Sequence, residues 1–445
     1  MSLEFPKILR SNFAGVAITL VLAAILAAKS LADFPYQFGI DFYHFWGVPL
    51  VKQKTSTARS PYVDPDGYAR VLNQLTAASG DHKLSYANHF RRKIEPTATP
   101  FFYAALAFLP ADYQAAQALF AIIQYLAAGL GVYLLLRLRD LSRWPAIWIA
   151  LLTELSFNPF VLDIKFGNVN SLQLAFLATV LHVAVRKRYS GKVMVDGLFI
   201  ALLAVFVIFK PNTLWIAAAL ALHYWLVRGA RCFLVGAALA VLLGGLAIAY
   251  GAWYFKHLSV WLEWLHYVRG IGSIALPFNF EHGNQSLTML LAQLAMSYGP
   301  TGYGVLIALS MLVALIATMT ANGRAPSRLG TALRKSFADP WCAASLGVLF
   351  TFATSPLVWP YYHLFALLPI FWLVGNAEHS NKAAWGAVIC YGALSRPVID
   401  VLLAGECYGV LRVTMLLAWL PLIPGVFLYG ASSQRSCAAK ARAPA

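Results

Sequence analysis

The sequence predicts an all-α, polytopic membrane protein, folded as a transmembrane helical bundle of about twelve spans. The chain is 60% hydrophobic and only 12% charged, with a mean hydropathy of +0.65, so most of it would not dissolve as a globule. Its apolar segments are continuous, as in 232–250, whereas barrel strands alternate. Since backbone in lipid must satisfy its own hydrogen bonds, these segments are expected to be helices.

The predicted spans follow from segments that reach or approach the roughly 20 apolar residues needed to cross a bilayer. They are 13–31, 113–136, 144–162, 171–185, 193–209, 213–227, 232–250, 301–320, 341–355, 362–375, 382–395 and 409–429. The first follows Lys7 and Arg10 and resembles a signal peptide, but its length favours an uncleaved anchor. Segment 100–109 is too short to cross and is predicted to be re-entrant or interfacial.

The positive charges predict the orientation. With the N-terminus in the cytoplasm, every dense cluster of Arg and Lys between spans falls on the inner side, as the positive-inside rule requires. The clusters are Arg137/Arg139/Arg143, Arg186/Lys187/Arg188/Lys192, Arg228/Arg231, Arg324/Arg328/Arg334/Lys335 and Arg435/Lys440/Arg442. The net charge of +16 is therefore dispersed between spans, which argues against a nucleic-acid partner.

The chain is expected to form a single membrane domain over 1–445, with large external loops at 32–99 and 252–298. The second loop carries Trp253, Trp261, Trp264 and Tyr267 at near-helical spacing, which predicts an amphipathic helix on the outer surface. These rings are interpreted as an interfacial aromatic belt, with a sugar-stacking platform as the alternative.

This topology places a set of polar residues on the external face: Asp41, Lys165, Asn168, Asn170, Lys210, Asn212, Arg269, Asn279, Glu281, His282, Asn284, His363 and Arg396. Charged groups near membrane depth are costly and tend to line a cavity or a reaction path. One suitable reaction is sugar transfer from a lipid phosphate to a hydroxyl. A carboxylate would take the hydroxyl proton, and a cation would stabilise the departing phosphate.

Five short sequence motifs also resemble those of a known protein family. Asp41 follows the first span, Gly167-Asn168-Val169-Asn170 opens the fourth, and Lys210-Pro211-Asn212-Thr213 joins the fifth and sixth. Asn284-Gln285-Ser286 lies late in the second loop, and Ser355-Pro356 precedes Trp359 and His363. Together they resemble GT-C membrane glycosyltransferases, above all the polyprenyl-phosphate-mannose-dependent α-mannosyltransferases and the related arabinofuranosyltransferases.

The resemblance implies that Asp41 is the general base and that Lys210, Asn168 and Asn170 lie near the donor phosphate. His363 occupies a place where relatives often have paired histidines, and here its neighbour is Tyr362. We therefore expect His363 beside the phosphate or acceptor.

Weaker expectations are substrate contacts by Asn284, Arg269 and Arg396. Relatives also tend to have Tyr-Pro-Pro where this chain has Ala98-Thr99-Pro100, so the sugar, mannose or arabinofuranose, stays open.

Structural interpretations compete with each assignment. Asp41 could cap an amphipathic helix whose apolar face is Phe42, Phe45, Trp46 and Leu50. The Lys210-Pro211 pair could be a helix stop with a snorkelling lysine, and 167–170 an ordinary tight turn.

Two further residues have structural interpretations. His363 could anchor a span in the headgroup layer. Glu154 falls inside the third predicted span, where a carboxylate needs a partner, and it is interpreted as structural.

No cofactor and no metal are expected beyond the polyprenyl-phosphate sugar itself, although Asp64 and Asp66 could bind a cation weakly. The expected partners are the lipid bilayer, that donor and a glycan or glycolipid acceptor. The expected location is the bacterial cytoplasmic membrane, with both termini cytoplasmic and the active site periplasmic or extracellular. The alternatives are a transporter or flippase of lipid-linked sugar, and a non-catalytic subunit of an envelope-synthesis complex.

Overall fold

The computed structural model describes residues 12–37, 39–55, 59–77, 84–85, 87, 96–186, 193–273, 284–295, 304–310, 337–376 and 381–430. Within these ranges the regular elements are helices, which confirms the all-helical prediction. The α-helices are α1 (Asn12–Asp33), α2 (Ile40–Lys54), α3 (Pro65–Thr76), α4 (Pro100–Ala105), α5 (Tyr113–Arg137), α6 (Arg143–Ser156), α7 (Asn158–Phe166), α8 (Asn170–Arg186), α9 (Val193–Phe209), α10 (Leu214–Arg228), α11 (Ala230–Phe255), α12 (Val260–Ser273), α13 (Leu287–Ala295), α14 (Pro340–Thr354), α15 (Leu367–Val374), α16 (Asn381–Ala393), α17 (Arg396–Ala404), α18 (Tyr408–Leu417) and α19 (Leu422–Gly430). Short 3₁₀ helices occupy Phe34–Tyr36, Pro211–Thr213 and Pro360–Ala366.

Several of these helices are long and apolar enough to cross a membrane. In the described part of the chain these helical stretches are Ala14–Tyr36, Tyr113–Arg137, Ala230–Phe255 and Tyr408–Val426; the first includes the 3₁₀ helix after α1, and the last runs from α18 into α19. Shorter apolar helices accompany them. Large apolar side chains such as Val241 (77% exposed) lie on their outer faces, as expected of lipid-facing surfaces. The membrane class is thus supported, while the number of spans and the single-domain organisation stay predictions.

Some predicted spans are interrupted. Segment 144–162 divides into α6 and α7 at Phe157, whose backbone is extended (φ −90°, ψ 104°). Pro159 lacks an amide hydrogen and cannot continue the hydrogen-bond ladder of α6. The Asn158 amide at this break donates to the Leu394 carbonyl just beyond α16 at 3.0 Å, and the Ser156 hydroxyl hydrogen-bonds to the Tyr391 hydroxyl of α16 at 2.8 Å. Segment 409–429 likewise divides into α18 and α19.

Other predictions concern residues outside the described ranges. These are most of segment 301–320, the basic clusters at 324–335 and 435–442, most of the cluster at 186–192, and Asn279, Glu281 and His282.

The segment predicted to be the first external loop folds around α2, which is buried on every side from Asp41 to Val51. All residues from Asp41 to Val51 are buried, so the expected amphipathic helix with one apolar face is wrong. Phe45 meets Phe102 of α4 with ring centroids 4.7 Å apart, and Trp46 meets Tyr113 of α5 at 5.0 Å. Packing from several helices therefore holds α2, and with it Asp41, in one position.

The segment predicted to be the second external loop contains α12. Trp261, Trp264 and Tyr267 lie on this helix, whereas Trp253 belongs to α11. Leu262 and Leu265 are 69% and 53% exposed, and Trp264 donates its indole N–H to the Thr97 carbonyl at 3.2 Å. The single helix predicted to carry all four rings is therefore wrong for Trp253, and a position of α12 on the outer membrane surface stays a prediction.

Glu154 of α6 is buried (5% exposed) and lies against Gly129 of α5, which leaves room for its carboxyl group.

Candidate active site

Asp41 stands in the first turn of α2, immediately after a backbone reversal. The N-cap of α2 is Gly39, which adopts the left-handed conformation (φ 62°, ψ 48°). Its amide donates to the Lys165 carbonyl at 3.1 Å, and its carbonyl accepts from the Tyr113 hydroxyl at 3.2 Å. Because Gly39 is the N-cap, the interpretation of Asp41 as the cap is wrong, and its carboxylate is turned to other partners.

Two side chains orient that carboxylate. Oδ2 of Asp41 accepts a hydrogen bond from Nδ2 of Asn168 at 2.8 Å and another from the hydroxyl of Tyr361 at 2.7 Å. Asp41 is 9% exposed, Asn168 and Tyr361 4% each. A buried carboxylate held by two donors is kept in one orientation, as a general base requires.

Asn168 joins this carboxylate to Lys210. Its Oδ1 accepts from Nζ of Lys210 at 2.5 Å and from the Val169 amide at 2.8 Å, while its Nδ2 donates to Asp41. Only this orientation of the amide gives both the ammonium and the carboxylate a complementary partner. Asp41, the predicted general base, and Lys210, the predicted phosphate-binding residue, therefore share one bridging side chain although they are far apart in the chain.

Lys210 follows the last residue of α9, and Pro211 begins the next 3₁₀ helix. Nζ lies 5.2 Å from the centroid of the Tyr362 ring, within the range of a cation–π contact. Burial lowers the pKa of Lys210 to about 8, although Asp163 and Asp41 act in the opposite direction. The helix-stop interpretation is thus correct for the backbone, and the ammonium nevertheless points into the protein.

Asn170 faces a different partner. Its Nδ2 donates to Oδ1 of Asp163 at 2.9 Å, and its Oδ1 accepts from Asn212 at 3.4 Å. Asn170 therefore hydrogen-bonds to Asp163 and Asn212 rather than to Asp41 or Lys210 in the described contacts. A direct contact between Asn170 and the donor phosphate stays a prediction.

Sequence reasoning missed Asp163, Tyr361 and Gln124. Asp163 is completely buried between α7 and α8, and Gln124 of α5 donates to the carbonyls of Asp163 (3.0 Å) and Asn168 (2.6 Å). A usable signal existed for Asp163, because it is an acid directly after the apolar segment predicted at 144–162, at the end that the predicted topology places outside. Tyr361 and Gln124 carry no comparable pattern.

His363 and Asn284 lie in the supporting structure. His363 is completely buried, with Nδ1 3.2 Å from the Pro360 carbonyl and its ring 4.9 Å from that of Phe352. Asn284 donates to the Pro356 carbonyl at 3.0 Å and accepts from the Val358 amide at 2.9 Å, so it holds the chain that leads to Tyr361. Their predicted substrate contacts stay predictions.

The two predicted arginine contacts lie elsewhere. Arg396 pairs with Asp33 at the end of α1 (3.4 Å) and with Asp400 (3.3 Å). Arg269 is exposed on α12. Neither has a recorded contact with Asp41 or Lys210 in the described part of the chain, and a role toward substrate stays a prediction for both.

Metal ligands are not grouped in the described ranges, where no three or more His, Cys, Asp or Glu side chains could hold one ion. Asp64, a weak candidate for a cation, accepts from the Gly67 amide at 2.8 Å as the N-cap of α3. Metal independence stays a prediction.

Comparison with known protein families gives a match over the middle of the chain. The model of a family described as glycosyltransferase family 87 matches residues 96–356, more than half of the 445 residues. Asn168, Lys210 and Asn284 lie inside the match, Asp41 precedes it and His363 follows it. No curated protein and no solved structure matches the chain. The chain belongs to glycosyltransferase family 87, a GT-C-type family, which confirms the resemblance and makes the protein a membrane glycosyltransferase.

Proposed function

We propose that the protein moves a sugar, mannose or arabinofuranose, from a polyprenyl-phosphate donor to a hydroxyl of a glycan or glycolipid. The reaction takes place at the external face of a bacterial cytoplasmic membrane, with both termini in the cytoplasm. The observation that carries this proposal is the Asn168 amide, which hydrogen-bonds to the Asp41 carboxylate and to the Lys210 ammonium. The reaction needs one group of each charge, close together.

Asp41 acts on the acceptor. An acceptor hydroxyl is too weak an acid to ionise beforehand, so its proton passes to Asp41 while its oxygen bonds to the anomeric carbon. The bond between that carbon and the phosphate oxygen breaks in the same step, which inverts the anomeric configuration. The products are the glycosylated acceptor and a polyprenyl monophosphate.

Lys210 acts on the leaving group. The donor phosphodiester carries one negative charge, and the departing monoester carries about 1.5 to 2, since its second pKa is about 6. A fixed ammonium therefore stabilises the transition state more than the bound donor. Its contact with Asn168 and with the Tyr362 ring keeps the ammonium in place before the donor arrives.

The shared location supports the external site. Asp41 follows α1, Asn168 precedes α8 and Lys210 follows α9, and the predicted topology puts all three positions on the outer side. A polyprenyl donor is already held in the bilayer, so a site at its surface can receive the phosphate without extracting the lipid.

The test uses the full chain in lipid nanodiscs with synthetic polyprenyl-phosphate mannose and polyprenyl-phosphate arabinofuranose. Membranes from a deletion strain supply the acceptor. Asp41→Asn is expected to lower transfer by at least about 100-fold, the range of a lost general base. The matched control is Asp112→Asn, because Asp112 is an exposed N-cap of α5 and asparagine caps equally well.

Two results would overturn the proposal. One is wild-type transfer by Asp41→Asn, which would remove the general base. The other is movement of the donor across the bilayer without transfer, which would favour a flippase.

A further inference from the structure

Asp163 is a buried acid behind the site. It lies near the end of α7 and has no exposed surface. Oδ1 accepts from the backbone and side-chain nitrogens of Asn170 at 3.3 and 2.9 Å. Oδ2 accepts from the Ser171 amide at 3.0 Å, from the Ser171 hydroxyl at 2.5 Å and from Gln124 at 3.5 Å. Both carboxyl oxygens are thus surrounded by donors.

This donor set fits the ionised form. An ionised carboxylate only accepts hydrogen bonds, whereas a protonated one must donate one of its own. Burial raises the pKa of the Asp163 carboxyl above its ordinary value, while the donors of Ser171 and Asn170 and the Lys210 ammonium act in the opposite direction and favour the charged form. The arrangement holds a negative charge at a fixed point inside the protein.

The same residue supports the turn that carries Asn168. The Asn168 amide donates to the Asp163 carbonyl at 2.9 Å, and Gln124 links the Asp163 and Asn168 carbonyls. Asp163 also caps the start of α8 through the Asn170 and Ser171 amides, where the helix dipole favours an anion. Any shift of Asp163 is therefore passed to the side chain that bridges Asp41 and Lys210.

We propose that Asp163 is a positioning residue for sugar transfer, a buried anion that fixes the Asn168 turn and keeps the Lys210 ammonium charged for the donor phosphate. This inference rests on the proposed function. It adds a second acid, one that touches neither the sugar nor the acceptor.

The surroundings of Lys210 explain the charge effect. In the described part of the chain, the charged or titratable groups that face it are Asp41 from α2, Asp163 from α7 and Tyr362 from the 3₁₀ helix. Burial lowers the pKa of Lys210, while Asp163 and then Asp41 raise it. Removal of the Asp163 charge leaves Asp41 alone to oppose burial, so the ammonium would lose its proton at a lower pH.

The test measures binding of a short-chain polyprenyl monophosphate to the full chain in nanodiscs between about pH 6 and pH 10. The wild type should bind less tightly above about pH 8. Asp163→Asn, which keeps the size of the side chain, should shift this weakening down by about one pH unit, as expected for loss of one nearby opposite charge. Ser171→Ala removes one hydrogen bond but no charge and should keep the wild-type midpoint.

A merely structural role predicts a different result. Binding that weakens equally at every pH, or a midpoint that does not move in Asp163→Asn, overturns the inference. If Asp163→Asn does not fold, Asp163→Glu decides, because it keeps the charge and displaces it by one methylene. The inference requires Asp163→Glu to keep the wild-type midpoint and to slow sugar transfer, and failure of either overturns it.

The results that would refute the proposed function differ from those that would refute the role of Asp163. Wild-type protein that does not bind the monophosphate, or Asp41→Asn that still transfers sugar, would refute the reaction itself. If Asp163→Asn does not move the pH midpoint of monophosphate binding while Asp41→Asn transfers no sugar, only the role of Asp163 is refuted.

Discussion

Gly167 is the position at which a single methyl group should disturb the site most directly. It is the C-cap of α7 in the left-handed conformation (φ 68°, ψ 44°), one residue before Asn168. A Cβ built there would lie 2.5 Å from Cβ of Phe42, the residue after Asp41, and 3.5 Å from Cα of Gly39. The α7–α8 turn and the start of α2 approach each other this closely only because both lack side chains there.

The cost of Gly167→Ala has two parts. The left-handed conformation costs a residue with a Cβ roughly 1–2 kcal/mol. Overpacking costs typically about 1–3 kcal/mol more, so destabilisation of about 2–5 kcal/mol is expected. Ordinary contact begins at 3.4 Å, so 3.4 minus 2.5 leaves about 0.9 Å that Phe42 or the turn must yield. A displacement of about 1 Å in a catalytic group can lower the rate about 100-fold.

The assay combines thermal unfolding in nanodiscs with the transfer rate per folded protein. Gly229→Ala is the matched control, because Gly229 also has a positive φ (82°) but nothing lies within 4 Å of its added Cβ. The control should lose stability and keep its transfer rate, whereas Gly167→Ala should lose both. Wild-type transfer by Gly167→Ala would refute the idea that this close approach sets the distance between Asp41 and Asn168.

Three other perturbations test separate parts of the site. Burial lowers the pKa of Lys210 to about 8, so the cation is present below that pH and lost above it. The kcat/KM of the wild type should therefore fall above about pH 8. Lys210→Arg should retain its own activity to higher pH, because arginine stays protonated. An alkaline limb that is identical in both proteins would contradict this role. Tyr361→Phe removes a 2.7 Å hydrogen bond to Asp41, and since bonds to charged groups contribute about 1.5–3 kcal/mol to stability, the melting temperature should fall. The kcat per folded molecule should also fall about 10-fold or more, because the base is oriented less well; an unchanged kcat would show that Asn168 alone orients the base. Arg228→Met leaves the buried Asp196 without the guanidinium that donates to it at 2.6 Å and should cost about 3–5 kcal/mol of stability. Its transfer rate per folded molecule should be unchanged, because this pair is predicted to lie at the cytoplasmic side, and a selective loss of rate would argue against that.

Some predictions failed because hydropathy does not describe packing. The spacing of Phe42, Phe45, Trp46 and Leu50 suggested one apolar face of an amphipathic helix. Residues 41–51 of α2 are instead buried on all sides, since α3, α4, α5 and α7 surround the helix. The span predicted at 144–162 is broken at Phe157, and the break is tolerated because residues at and beyond the end of α16 satisfy the exposed backbone and hydroxyl groups. Both outcomes depend on neighbours that are distant in the chain.

Depth in the membrane is a one-dimensional property, and the sequence alone was enough to predict it. The lengths of the apolar segments and the basic clusters between them predicted a helical membrane protein and put Asp41, Asn168 and Lys210 on one face. The order of the short motifs was also enough to indicate the family, which the family match confirms.

Only the tertiary structure decided which of these residues meet. Depth says nothing about the rotation of a helix about its axis or about which helices are neighbours. Asn168 reaches Asp41 across 127 residues, and Tyr361 reaches it across 320. Contacts over such separations arise from side-chain packing in three dimensions, which is why Tyr361 and Asp163 join the group around Asn168 while Arg396 pairs with Asp33 and Asp400.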